Sequence, residues 1–356
     1  MKICFFGIYN PDYSRNRVLL TGLRMSGHMV TECRVDPKVF SGFSKYWQLF
    51  KQGREIKKQK PDLVIVGFPG QTVVWVARML FGKKIVFDAF LSLYDSNVFD
   101  RKLYHKYSFR AFRDWFFDWL SCTVSQIVLL DTFEHIKYFE KTFRISQKKM
   151  IRVFVGSDYR YNPTQKSHSD ILQVHFHGSY IPLHGIEYII EAARLLEDEK
   201  IHFTIIGEGQ ESSRIKEIIT LHPPKNITFK KSVPSSELPQ HIAAADVCLG
   251  IFGQTPKADR VIPNKIFEAL ALKKPIVTGE SQAVHELLKD GETVILGRRA
   301  DAKDLAQKIR FLRAQPELRD NIAEAGHKLF LENLTPQKLV SKLMNDIHVL
   351  LFSQSS

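Results

Sequence analysis

Arg260-Val-Ile-Pro-Asn-Lys-Ile-Phe-Glu-Ala-Leu-Ala-Leu-Lys-Lys-Pro-Ile-Val-Thr-Gly279 runs from a polar loop into a short amphipathic helix and then into an apolar strand. A helix start carries unpaired N–H groups and partial positive charge, so the amides around Pro263, Asn264 and Lys265 suit a diphosphate, and Lys265 adds a full charge. Glu268, about one turn on, has the acceptors for a ribose diol. An ordinary solvated surface helix would carry the same residue types.

The loop, helix and strand of this run recur along the whole chain. In the first half, strand-like runs fall at Lys2–Gly7, Met29–Val35, Asp62–Val66, Lys84–Asp88, Ile127–Leu130 and Ile151–Val155. In the second half they fall at Ile171–His177, Ile201–Ile206, Ile227–Lys230, Val247–Ile251, Pro275–Val277 and Thr293–Leu296. Strands alternating with helical patterns predict parallel sheets in doubly wound α/β domains, and two successive sets predict two domains. The boundaries expected are 1–160, 161–335 and a C-terminal helix, 336–356. Tyr159–Asp170, polar and without periodicity, reads as the linker. The last helix, with Leu339, Val340, Leu343, Met344 and Ile347 on one face, needs a surface to cover, and the N-terminal domain offers one.

The chain has 356 residues, 44% hydrophobic and 25% charged, which excludes disordered and collagen-like classes. No run reaches the roughly 20 apolar residues of a membrane span, and the start is too weakly apolar for a secretory signal, so a cytosolic protein is expected. Cys4, Cys33, Cys122 and Cys248 are scattered and fit buried hydrophobes better than disulfides. His175 and His177 share a strand face, but no third metal ligand accompanies them. Fifty-one basic residues against 38 acidic give a net charge of +13 and imply an acidic partner: nucleic acid, anionic lipid or a phosphorylated substrate.

Gly178-Ser-Tyr-Ile-Pro-Leu-His-Gly185 joins a strand end to a helix whose Ile186, Ile189, Ile190 and Ala193 follow helical spacing. Open α/β sheets place ligands at such junctions, where Gly178 and Gly185 let backbone approach phosphate oxygens. Ile206-Gly-Glu-Gly-Gln210 follows the next strand. Loops 178–185, 207–210 and 253–265 should therefore open toward one crevice.

With these pieces in order, the chain resembles the family-4 glycosyltransferases, with the GT-B fold of two Rossmann-like doubly wound domains facing across a cleft. Gly178–Glu187 is similar to the family's phosphate loop, with His184 where Lys is common. Gly207 and Gly209 match its Gly-x-Gly turn, Leu238–Ile251 its helix-to-strand step, Asn264–Val277 its nucleotide-sugar motif, and Phe154–Asp158 the segment ending its first domain. The resemblance implies donor contacts from Gly178, Ser179, Gly185, Gly207, Gly209, Pro263, Asn264, Lys265 and Glu268. Of the family's two glutamates eight positions apart, the first is replaced here by Arg260.

The activity implied is transfer of a sugar, with retention, from a nucleotide diphosphate sugar to the hydroxyl of a glycan or lipid-linked acceptor, without cofactor or metal. The chain contains no Asp-x-Asp. Lys265 and a protonated His184 would take up charge on the leaving diphosphate, and Asp88 would orient or deprotonate the acceptor, with Asp95 second. Two other classes fit parts of the pattern: a nucleotide-sugar epimerase, and a basic nucleic-acid binder. Against the latter, the phosphate-type loops gather at strand ends rather than lysines on a face, so no nucleic acid is expected.

Arg101–Leu120 mixes cations with aromatics. Phe109, Phe112, Phe116 and Trp119 share a helical face flanked by Arg110 and Arg113, the pattern of a helix lying in an anionic membrane interface at the inner face of the membrane. The same face would also serve as a helix packed on the sheet.

Overall fold

The structure, a computed structural model, describes residues 1–37, 39–82, 84–162 and 170–352. The chain divides into two compact units, Met1–Val98 with Lys102–Asp158 and Leu334–Ser356, and Phe99–Arg101 with Tyr159–Asn333. Of the expected linker, residues 163–169 lie outside the described residues.

Unit 1 is a parallel sheet of β1 (Lys2–Gly7), β2 (Met29–Arg34), β3 (Leu63–Val66), β4 (Ile85–Phe90), β5 (Ile127–Leu130) and β6 (Met150–Arg152), in the order β2-β1-β3-β4-β5-β6. Its strands alternate with α1 (Ser14–Met25), α2 (Ser44–Lys57), α3 (Val74–Phe81), α4 (Phe109–Val124) and α5 (Phe133–Phe143). Alternation along β1 shows why both faces are covered. Ile3 and Phe5 enter the core shared with Leu19 and Leu23 of α1, whereas Cys4 and Phe6 enter the one shared with Leu49, Leu80 and Phe139.

Unit 2 is a second parallel sheet: β7 (Leu172–His177), β8 (Ile201–Ile206), β9 (Ile227–Lys230), β10 (Val247–Leu249), β11 (Ile276–Gly279) and β12 (Ile295–Gly297), in the order β12-β11-β10-β7-β8-β9. Its helices are α6 (Ile186–Arg194), α7 (Ser212–Leu221), α8 (Leu238–Ala243), α9 (Asn264–Ala271), α10 (Ala302–Ala314) and α11 (Pro316–Asn333). Both sheets are doubly wound α/β arrangements, as the strand periodicity required. Strand order reverses between β1 and β3 in unit 1 and between β7 and β10 in unit 2, which creates a crevice at the carboxyl ends of each pair.

The last helix, α12 (Pro336–Phe352), belongs to unit 1. Val340, Leu343 and Ile347 join the core of α1 and β1. Gly22 permits the contact, since a Cβ there would stand 2.2 Å from the carbonyl oxygen of Pro336. The four cysteines are buried and form no disulfide.

Candidate functional site

In unit 2 the three glycine-bearing loops are tied to one another at the switch point. Tyr180 donates its N–H to the Glu208 carbonyl at 3.1 Å, and Phe252 donates to the His184 carbonyl at 3.0 Å. Gly207 has φ +149°, and a Cβ on it would meet the Gly178 carbonyl oxygen at 2.0 Å; one on Gly209 would meet the Tyr180 amide nitrogen at 2.6 Å, and one on Gly185 the Gly253 nitrogen at 2.6 Å. The sequence reading reserved these glycines for approach to phosphate. In the fold, Gly185, Gly207 and Gly209 are required for loops to approach each other.

Against this platform lies the start of α9. Pro263 has extended backbone and occupies the N-cap, and the first amides, of Asn264 and Lys265, have no partner within the helix, as at any helix N-terminus. Lys265 is buried and its Nζ makes no hydrogen bond. The amine stands 4.4 Å from the centroid of the Phe176 ring, and a Cβ on Gly178 would lie 3.1 Å from it. Burial pushes the Lys265 ammonium down to about 7, opposed by the charge of Glu268. A buried amine without an acceptor fits a site for an anion.

His184 is buried beside it. Its Nδ1 lies 2.5 Å from the Ser179 carbonyl, so that nitrogen donates, and burial together with the Lys265 charge holds the ring well below the usual histidine range. The expectation of a protonated His184 is thereby corrected: the ring is a neutral strut that holds Ser179 in place. Glu268 is also buried, and its Oε2 accepts from His177 Nε2 at 2.8 Å. His175 Nε2 and His177 Nδ1 are 3.0 Å apart. The pair that alternation placed on one face thus serves a carboxylate, and among the described residues no group of three could hold a metal ion. The link to Glu268 was not legible, because the two residues are 91 apart in sequence.

At the same sheet edge a polar cavity of about 520 Å³ is lined by Gln254, Asp259, Glu280, Ser281 and Arg299, among others.

In unit 1 the two acceptor-side candidates are both interior. Asp88 is fully buried, and Arg15 donates to it from Nε at 3.0–3.1 Å and from Nη2 at 2.8 Å. Arg15 Nη1 continues to the carbonyls of Val153 and Phe154, so the carboxylate sits in a structural ion pair and presents no face to an acceptor. Asp95, at the start of a π-helical turn, is also fully buried. What stands at the switch point instead are Tyr13 and Phe68, half-buried rings with centroids 5.3 Å apart. Buried Asn16 fixes their loops, donating to the Asn10 and Phe68 carbonyls and accepting from the Phe68 amide. Sequence alone gave no signal for these residues.

The aromatic stretch forms α4, capped by Ser108. Its inward side is acidic: Asp118 accepts from Ser92 Oγ and from the amides of Leu93 and Tyr94, and Asp114 accepts from Asn97. The aromatics therefore point outward, with Phe109 81% and Phe112 59% exposed and Phe116 also exposed; Trp119 is half-buried and packs on the core. On the neighbouring helices α2 and α3, Trp47, Trp75 and Met79 are exposed as well. Lys51, Arg54, Arg110 and Arg113 stand exposed among them, with Arg113 paired to the buried Asp114 at 2.8 Å.

Comparison with known proteins agrees with this arrangement. Residues 162–329 match the glycosyl transferases group 1 family. An uncharacterized glycosyltransferase of Methanocaldococcus jannaschii is 23% identical over 165 residues, 46% of this chain and 44% of that protein. A lipopolysaccharide core biosynthesis glycosyltransferase of Rhizobium meliloti is 25% identical over 42% of each chain. The alignments thus span less than half the length of these relatives. Among solved structures, an Anabaena protein in complex with UDP and glucose superposes with a TM-score of 0.73 at 15% identity, over 97% of this chain and 98% of that one. Sucrose-phosphate synthase from Thermosynechococcus elongatus gives 0.73 at 14% identity over the full length of both. Residues 162–329 are thus similar to the group 1 glycosyl transferases, and the solved structures share the two-unit α/β fold.

Proposed function

We propose that this chain transfers a sugar from a nucleoside diphosphate sugar to an acceptor hydroxyl, with retention and without a metal ion, as expected for a family-4 enzyme of glycan or glycolipid synthesis. The observation that carries this reading is the buried, unpartnered amine of Lys265 at the start of α9. The diphosphate sits against the Asn264 and Lys265 amides and the loop of Gly178, Ser179 and Gly185, the turn of Gly207 and Gly209 supports that loop, and Glu268 accepts from the ribose diol. When the bond from the anomeric carbon to the β-phosphate oxygen breaks, charge grows on the diphosphate, where fixed amides and the Lys265 ammonium are already placed to stabilise it. The polar cavity around Ser281 and Arg299 suits the hydroxyls of the donor sugar. Unit 1 receives the acceptor at Tyr13 and Phe68, whose rings offer apolar faces to a glycan.

Incubation with a panel of nucleoside diphosphate sugars tests this. Slow release of one nucleoside diphosphate, accelerated by acceptor, is expected. No release and no binding of any member by calorimetry would remove the assignment, and interconversion of the sugar without release would establish an epimerase instead.

The outer face of α2, α3 and α4 favours a membrane-bound acceptor. Exposed aromatics of this number form the kind of patch that soluble monomers seldom leave in water, and the cations among them suit anionic lipid. In this reading the enzyme works as a peripheral protein on the cytoplasmic leaflet and meets a lipid-linked acceptor there.

A further inference from the structure

We propose that His177, backed by His175, is the positioning residue of the donor site: it fixes the rotamer of Glu268 so that the carboxylate faces the ribose diol. The inference rests on the reading of Glu268 given under Proposed function.

The geometry comes from the strand. Residues two apart on β7 project to one face, so His175 and His177 stand in file at the carboxyl end of the strand next to the switch point. His177 Nε2 is 2.8 Å from Glu268 Oε2, and His177 Nδ1 is 3.0 Å from His175 Nε2. Donor and acceptor roles follow from the carboxylate. An ionised Glu268 only accepts, so Nε2 of His177 carries a proton. The Nδ1 of a neutral ring then accepts, and His175 donates to it from Nε2. Burial keeps the His175 ring neutral, pushed down to about 2, so it donates as the Nε2–H tautomer. One chain of donors therefore runs from His175 through His177 to Glu268, each ring fixing the tautomer of the next.

The contact with His177 constrains Glu268 in a way that diol recognition requires. Its side chain leaves a helix and has three rotatable bonds, and a carboxylate that recognises a diol must hold both its plane and its distance. A tethered Oε2 sets that plane. The arrangement parallels the way outer-shell carboxylates orient metal-bound histidines, with the roles of the two side chains exchanged.

The test uses the full-length chain with UDP, GDP and ADP and their 2′-deoxy forms as probes. The unmodified protein is expected to bind its preferred ribonucleotide on the order of 10-fold more tightly than the deoxy form, the discrimination of one hydrogen bond to a charged group. His177→Phe should reduce ribonucleotide affinity on the order of 10- to 100-fold and bring the ribo and deoxy forms close together. His177→Gln, which offers an N–H near the Nε2 position, should restore most of the discrimination. A purely structural role predicts that His177→Phe weakens both forms equally, and that result would overturn the proposal. A second measurement is independent of nucleotide binding. In ¹⁵N spectra of the histidine rings, His177 should carry its proton on Nε2 and shift on Glu268→Gln. A bare Nε2, or a His177 signal indifferent to that change, overturns the proposal even if no nucleotide binds, whereas absence of binding with the shift intact counts against the function and not against the clamp.

Discussion

Arg15 and Asp88 form a fork-to-carboxylate pair at zero exposure, 2.8 Å from Nη2 to Oδ1, joining α1 to the end of β4. Burial raises the Asp88 carboxyl while the guanidinium opposes the shift, so neither group is tolerable without the other. Asp88→Asn should therefore destabilise the protein by about 3–5 kcal/mol, the cost of leaving one partner of a buried pair uncompensated. Urea unfolding measures it. Loss of turnover at unchanged stability would instead return Asp88 to the chemistry.

Lys265 should make donor binding pH-dependent. The unfolded chain keeps this ammonium to about pH 10.5 and the folded, unliganded protein only to about 7. Between these values the unfolded state binds more protons, so stability contributed by this group rises with pH across the window and is lowest below about 7. A bound diphosphate favours the ammonium, so affinity should be greatest below about pH 7 and fall as pH rises above it. Calorimetry of the preferred nucleoside diphosphate at pH 8 in two buffers of different ionisation enthalpy should show uptake approaching one proton, absent in Lys265→Met. Equal uptake in both proteins would sink the assignment.

Removing the Lys265 amine should also separate phosphate from nucleoside recognition. Lys265→Ala is expected to weaken the preferred nucleoside diphosphate by about 1.5–3 kcal/mol and its nucleoside hardly at all. Glu268→Ala should weaken both by a similar amount, because the proposed role of its carboxylate is to accept from the ribose. The four affinities decide between these roles.

Gly207→Ala tests the loop platform. The added methyl would meet the Gly178 carbonyl at a residue whose φ of +149° already disfavours a side chain. A cost of roughly 1–3 kcal/mol is expected, together with weaker nucleotide binding, because the displaced loop carries Ser179. Unchanged stability by thermal unfolding would show that the loops have room to part.

The aromatic face of α4 should bind lipid. Phe112→Ala with Phe116→Ala is expected to leave stability within about 0.5 kcal/mol, since both rings are exposed, and to reduce co-sedimentation with anionic vesicles. Arg110→Glu with Arg113→Glu should weaken it further and lessen its salt dependence, each cation being worth about 1 kcal/mol near the surface. Sedimentation indifferent to vesicle charge would rule the membrane reading out.

Period and turn chemistry made each strand legible, because a parallel strand covered on both faces reads as a short apolar run whatever its partners are. The ends of β6 and β10, expected at Val155 and Ile251, were exceptions, since β10 stops at Leu249. Val153 still donates to the Leu130 carbonyl at 2.7 Å, but the ladder ends at Arg152 although the apolar run continues to Val155. The start of α9 was legible for a related reason, since a helix N-terminus and its first-turn Lys and Glu are local features. What stayed hidden was long-range pairing. Asp88 reads as an acceptor-side carboxylate because its neighbours in sequence do not reveal Arg15, 73 residues away. Glu268 gave no sign of His177, and the glycines of the loops looked like ligand contacts because the backbones they admit come from other loops.

Helix α12 gives unit 1 an unusual history during synthesis. A ribosome releases α1 and the six strands of unit 1 long before the residues that complete their core, because Val340, Leu343 and Ile347 emerge only after all of unit 2. Until then the face of α1 around Gly22, which Pro336 and Val340 cover, is open. Its final closure cannot precede translation of the last helix.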